Sequence, residues 1–417
     1  MKLASTPGSQ TLTIDKIGAQ GDGIAGDLFV PFTLPGETIS GEVRDGRIEP
    51  AEVLAPSPDR VEPPCPHFGD CGGCALQHWA AEPYLAWKRE QVAIALGRVG
   101  ITTEILETFA TPAHTRRRLA LHARRDGRVV RLGFKARRSW RLVELDVCVI
   151  ADPALVRALP ALRALAEPFL EHPKSAPTLH VTRTLTGLDI DITGVERKTG
   201  GGLSGGARSR AAEAAASGDF ARVTLAGEVV YQARQPVVKL GPAVVALPPG
   251  AFLQATPEAE AAMAAAVVGA TVGASRIADL YCGVGTFTFR LAQASSVYAA
   301  DSSAPAVRAL ASAVGTAPGL KGVTAEARDL GRRPLLAMEM KALDAVVFDP
   351  PRAGALEQSR EIAASKVSRV VGVSCNPVTF ARDAHILADA GFRLETVKPI
   401  DQFLWSPHIE LVGVFSR

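Results

Sequence analysis

The stretch RIADLYCGVGTF, residues 276–287, decides the fold. An apolar run of strand type leads into a Gly-X-Gly turn at Gly283 and Gly285, and a helical pattern follows. Glycine there lets the backbone bend sharply and come close to a ligand. The third glycine of the dinucleotide fingerprint is missing, so the loop alone leaves both a nicotinamide and an S-adenosylmethionine site open. Further along, SVYAAD reads as a strand ending on Asp301, where a carboxylate can hold two ribose hydroxyls. VTAEARDL and DAVVFDPPRAG read as strands ending at Asp329 and Asp349, and RVVGVSCNP as a strand carrying Cys375, with a helix beyond it. RLETVKPID and HIELVGVFSR read as a closing antiparallel pair. Strands alternating with helices predict an α/β, doubly wound Rossmann-like domain over residues 251–417, with ligands at the carboxyl ends of the strands.

Cys375 precedes a helix, whose N–H groups and dipole are expected to lower a thiol pKa. A thiolate beside a methyl donor has a use. Carbon 5 of a pyrimidine is a weak nucleophile until a thiolate adds to carbon 6. A base must then remove the carbon 5 hydrogen, and Glu410 in PHIEL is the candidate.

Upstream, residues 57–250 mix strands with Ala/Leu-rich helix and are expected to form a central α+β domain. GGGLSGGARSR, residues 200–210, reads as a flexible loop. CPHFGDCGGC brings Cys65, Cys71 and Cys74 into one tight loop, and Cys148 is the remaining cysteine outside the C-terminal part. Four such thiolates can hold zinc or an iron–sulfur cluster. Residues 114–141 carry ten Arg and one Lys against one acid, Asp126. That is a phosphate-binding surface or a solvated basic face. Residues 8–56, rich in β-branched residues and glycine, predict a small β-barrel. The 417 residues, 47% hydrophobic and 21% charged, exclude a disordered chain or a fibre. The uncharged run 240–257 is broken by prolines, and no signal peptide is visible. A cytoplasmic monomer without membrane contact is expected.

The motifs PGAFLQAT, DLYCGVGTF, FDPPRAG, SCNP and the final HIE together resemble the RNA uridine C5-methyltransferase family. The N-terminal GDGIAGDLFVPFTLPGE resembles a TRAM domain, an OB-like RNA-binding barrel. The resemblance implies S-adenosyl-L-methionine as cofactor and a [4Fe–4S] cluster on Cys65, Cys71, Cys74 and Cys148. It further implies Cys375 as nucleophile, Glu410 as base, and a cofactor pocket at Gln254, Tyr281, Thr286, Asp301, Asp329 and Asp349. Cys282 is read as packing only. Thr286, Asp301 and Tyr281 stand where the family usually has Asn, Glu and Phe. A TRAM domain together with cluster cysteines looks most like the 23S rRNA enzymes, with tRNA as the alternative substrate. Three rivals fit less well. An amino-group methyltransferase usually carries an aromatic where Arg352 stands. A cytosine C5 enzyme draws a Cys from the loop that here holds Asp349–Pro350–Pro351. A non-catalytic RNA-binding protein needs neither Cys375 nor Glu410.

Overall fold

In a computed structural model of the chain, residues 9–196 and 203–417 are described. The first residue of the expected N-terminal domain, and residues 200–202 of the expected loop, lie outside them.

Seven short strands between Ser9 and Ala55 surround a small core of Ile14, Ala25, Val30, Ile39 and Ile48. A second seven-stranded sheet follows, in the order Leu142–Glu144, Val129–Lys135, Arg118–Asp126, Thr178–Thr184, Gly187–Thr193, Arg222–Leu225 and Glu228–Gln232. Its apolar side packs under the helical stretch 153–170. Two further helices stand outside that stretch. Helix α1 (Ala81–Gly97) buries Tyr84, Trp87, Lys88, Val92 and Ala95, the three-and-four spacing of one helical face. Helix α2 is Gly205–Ser217. It takes up residues 205–210 of the loop expected at 200–210, where Ser204 caps it by accepting from the Ala207 N–H at 3.1 Å. Ala207, Ala211 and Ala215 then form a small-residue face that is fully buried.

The C-terminal sheet has strands β1 (Arg276–Leu280), β2 (Ser296–Asp301), β3 (Val323–Ala327), β4 (Ala345–Phe348), β5 (Arg369–Ser374), β6 (Arg393–Asp401) and β7 (Glu410–Ser416). Their order is β3-β2-β1-β4-β5-β7-β6, parallel up to β5, with β7 antiparallel to both β5 and β6. Successive residues of a strand face opposite sides, so each strand feeds two cores. Ile277, Val347, Val371 and Val412 meet α3 (Pro257–Ala270) and α4 (Ala304–Val314) on one face. Ala278, Leu280, Val346 and Val370 meet α1, α5 (Leu356–Ala364) and α6 (Pro377–Asp389) on the other. This is the doubly wound α/β arrangement expected of the C-terminal part. Two segments before residue 250 also pack with it. Glu104–Ile105 and Phe109–Ala110 extend the sheet beside β6, and the hairpin Val237–Leu240 with Ala243–Ala246 joins its core. Among the described residues, no helix is long and apolar enough to cross a membrane.

Candidate functional site

The carboxyl ends of β1, β2, β4, β5 and β6, with the start of β7, converge on one place. Register explains why. Ser374 pairs with Leu411, so Cys375 and Glu410 are the next residues outward on neighbouring antiparallel strands. Ile400 pairs with Glu410 on the other side, which places Gln402 just beyond. Leu280 pairs with Phe348, so Tyr281 and Asp349 leave the sheet together.

Tyr281 has φ +62°, a left-handed conformation unusual for a tyrosine, and Gly283 and Gly285 have φ +54° and +101°. A Cβ on Gly285 would meet the Phe289 ring at 2.4 Å, so glycine is required there. Asp301 ties the loop down: its carboxylate accepts from the Gly283 N–H at 3.0 Å and from the Ser303 N–H at 2.7 Å. The Thr286 carbonyl accepts from Arg290. Asp329 is exposed and accepts from the Gly331 and Arg332 N–H groups of its own turn. Burial, with Asp383, Asp329 and Asp301 nearby, pushes the Tyr281 hydroxyl up to about 12. Cys282 is buried in the core beside Val284 and Phe287, as a packing residue would be.

Gln254 and Glu410 are nearly inaccessible, and a chain of amides joins Glu410 to Asp349. Gln254 donates to Asp349 at 3.0 Å, while Gln402 donates to Gln254 and to Glu410, both at 2.9 Å. Burial pushes both carboxyls above the usual range, Asp349 also through Asp279 and Glu410 through Asp349. The second Glu410 oxygen, Oε2, is buried without a partner.

The thiol of Cys375 differs from expectation. It is pushed up to about 11, by burial first and by Glu410 and Asp349 next, against a smaller lowering by Arg352. The helix end that was to lower it is already engaged. Asn376 caps α6 by accepting from the Val378 N–H at 3.1 Å, and Pro377 has no N–H to offer.

The basic segment is likewise no single strip. Arg117 donates to Glu260 and to the Gln254 carbonyl, and Arg118 to the Leu253 carbonyl, so they brace the Gln254 loop from behind. Arg137 and Arg138 bind Asp22, Arg131 binds Asp126, and Arg125 binds Glu167. Arg116 and Arg118 do border a groove of about 200 Å³ with Phe252, Phe403 and Gln402. Phe252 is 67% exposed, with the Arg118 guanidinium over its ring at 5.1 Å.

Cys65, Cys71, Cys74 and Cys148 line one cavity with Phe68, Phe134 and Ile150. The Gly73 N–H donates to the Cys71 sulfur at 3.4 Å, and a Cβ on Gly72 would strike the Lys135 carbonyl at 2.7 Å. His67 holds Asp146, two residues before Cys148, at 2.7 Å. Among the described residues, no three of His, Cys, Asp and Glu converge as they would around a single ion. The same loop touches the main site: the Ala75 and Leu76 N–H groups donate to the Trp405 carbonyl at 2.8 and 3.0 Å.

Sequence reading missed three contributors. Gln402 carries no motif signal. Asp279, fully buried in β1 and pushed up to about 7 by burial, had one: an acid inside an apolar strand. Lys88, at a core-facing position of α1, donates to Asp401 at 2.5 Å.

A sequence profile of the family tRNA (Uracil-5-)-methyltransferase matches residues 244–417. An RNA methyltransferase of Caulobacter vibrioides is 66% identical over 98% of this chain and 100% of its own length. A 23S rRNA (uracil(1939)-C(5))-methyltransferase of Chromohalobacter salexigens is 32% identical over 97% of this chain and 89% of its own. The crystal structure of a Pyrococcus abyssi tRNA (uracil-54, C5)-methyltransferase with S-adenosyl-L-homocysteine superposes with a TM-score of 0.74. It covers 97% of this chain and 99% of its own, at 23% identity, and shows the shared fold. On the strength of these whole-length identities, the chain belongs to the RNA (uracil-5-)-methyltransferase family.

Proposed function

We propose that this enzyme methylates carbon 5 of a uridine in 23S rRNA, with S-adenosyl-L-methionine as donor. The observation that carries the reading is the strand register that sets Cys375 against Glu410, at the end of the sheet where Asp349 and the Gly283–Gly285 loop also emerge. The donor supplies a methyl group on a positively charged sulfur. Gln254, Tyr281, Thr286, Asp301, Asp329 and Asp349 form its pocket. Cys375 gives its thiol proton to solvent and adds as the thiolate to carbon 6 of the uracil, and carbon 5 then takes the methyl as the bond to the donor sulfur breaks and leaves that sulfur neutral. Glu410 removes the carbon 5 hydrogen through Oε2, the ring double bond re-forms, and the Cys375 sulfur leaves with the electron pair of its bond to carbon 6. The target base must leave its stack to reach Cys375. Exposed Phe252, with Arg118 over its ring, suits an unstacked nucleotide beside the site.

The N-terminal strands serve as a TRAM-type RNA-binding barrel. The four cysteines hold a [4Fe–4S] cluster of structural role. The donor set fits one: four thiols share a cavity, a backbone N–H already points at sulfur, and Arg116 stands near Cys74 and Cys148 to offset thiolate charge. Protein purified without air should carry about four irons per chain. Cys148→Ser should lose them, and Cys282→Ser should keep them. Stoichiometric zinc would overturn the assignment.

The substrate test is methyl incorporation into unmodified 23S rRNA and into tRNA, followed by nucleoside mapping. The expected product is C5-methyluridine in 23S rRNA. Product in tRNA alone would favour the second reading, which the name of the matching family profile supports. Methylation on nitrogen would overturn the mechanism.

A further inference from the structure

Gln402 is 2% exposed, and both its side-chain oxygen and its side-chain nitrogen are hydrogen-bonded. Its carbonyl oxygen accepts from the Ala255 N–H at 2.9 Å, a partner that can only donate. The orientation of the amide is therefore forced, and its NH₂ must face Gln254 and Glu410, each at 2.9 Å. Gln254 is oriented in turn, since its own NH₂ is directed at Asp349. A buried donor aimed at one carboxyl oxygen favours the ionised form of that carboxyl. It also leaves Oε2 as the single oxygen of Glu410 without a partner.

We propose that Gln402 is a positioning residue for proton removal: its NH₂ holds Oε1 of Glu410, favours the charged form against the surrounding burial, and turns Oε2 toward the substrate. Among the described residues, no other group in the cluster donates to Glu410. Asp349, beyond β4, opposes the charge of Glu410, and Glu410 in turn opposes ionisation of the Cys375 thiol beyond β5. Arg352 acts on Cys375 and on His408, which is exposed at the mouth. Lys88 from α1 is engaged by Asp401. Gln402 also borders the groove of Arg116, Arg118 and Phe252, so the residue that sets the base lies beside the surface that would receive the neighbouring nucleotide.

The proposal rests on Glu410 as the proton acceptor, and the experiment separates the two. Covalent protein–RNA adduct is formed in a single turnover with full-length enzyme and substrate RNA, and its breakdown is followed on denaturing gels across pH 6 to about 10. Gln402→Met keeps length and removes the donor. Breakdown at pH 7 should slow about tenfold and recover at alkaline pH, moving the rising limb up by about one pH unit. Gln402→Glu places a second acid there and should move it further in the same direction. A residue that only filled space would lower the rate equally at every pH, and that result overturns the proposal. So does an unmoved limb, or failure of both variants to fold. If Glu410→Gln itself accumulates no adduct, the base assignment fails first, whatever Gln402 does.

Discussion

Cys375→Ala should abolish methyl transfer, with a loss on the order of 10⁶-fold, the scale seen when a covalent nucleophile is removed. It should form no adduct with RNA, because among the described residues the other cysteines lie in the core or in the separate cysteine cavity. Glu410→Gln should behave differently. Sulfur attack and methylation precede proton removal, so this variant should methylate once and then stall as an adduct that survives denaturant. RNA with fluorine at carbon 5 should trap the unaltered enzyme in the same way, since fluorine cannot leave as a cation. The raised Cys375 thiol adds a pH dependence. At neutral pH little of it is thiolate in the free enzyme, so adduct formation should accelerate as pH rises toward about 11. An adduct formed by Cys375→Ala, or methylation at wild-type rate without it, would sink the assignment.

The second large effect lies away from the reacting atoms. Lys88 is fully buried and donates to Asp401 and to the His408 carbonyl, while Tyr84 donates to the other Asp401 oxygen at 2.6 Å. These bonds fasten both ends of the segment between β6 and β7, which carries Gln402 and delivers Glu410. Lys88→Met should cost about 3–5 kcal/mol in stability, because it leaves the Asp401 carboxylate buried beside one hydroxyl. Removing both charges, as Lys88→Met with Asp401→Leu, should recover much of that loss. Denaturant unfolding measures both. Equal destabilisation by the single and double variants would show that packing, not the ion pair, dominates there.

Alternation of apolar runs with helical ones was enough to read the C-terminal sheet, since a parallel strand buried on both faces must be apolar throughout. Spacing and strand ends also located Cys375, Asp301, Asp349 and the Gly283–Gly285 turn, because chemistry at such a sheet sits where the strands stop. Other features depended on contacts between residues far apart in the chain. The first turns of the helix at Gly205–Ser217 looked like part of a loop because their glycines hid an alanine face that makes sense only against the central core. Ten arginines looked like one surface, yet some are turned inward by acids from elsewhere, Arg117 by Glu260 and Arg137 by Asp22. The thiol of Cys375 was expected to be lowered by a helix end. Desolvation and two neighbouring carboxyls raise it instead, and no local pattern reports either. Local sequence determined the order of elements and the residue types at the strand ends. Tertiary structure alone decided which charges are buried, which amide faces which carboxyl, and hence how Glu410 is held, because burial and hydrogen-bond geometry are properties of the assembled neighbours.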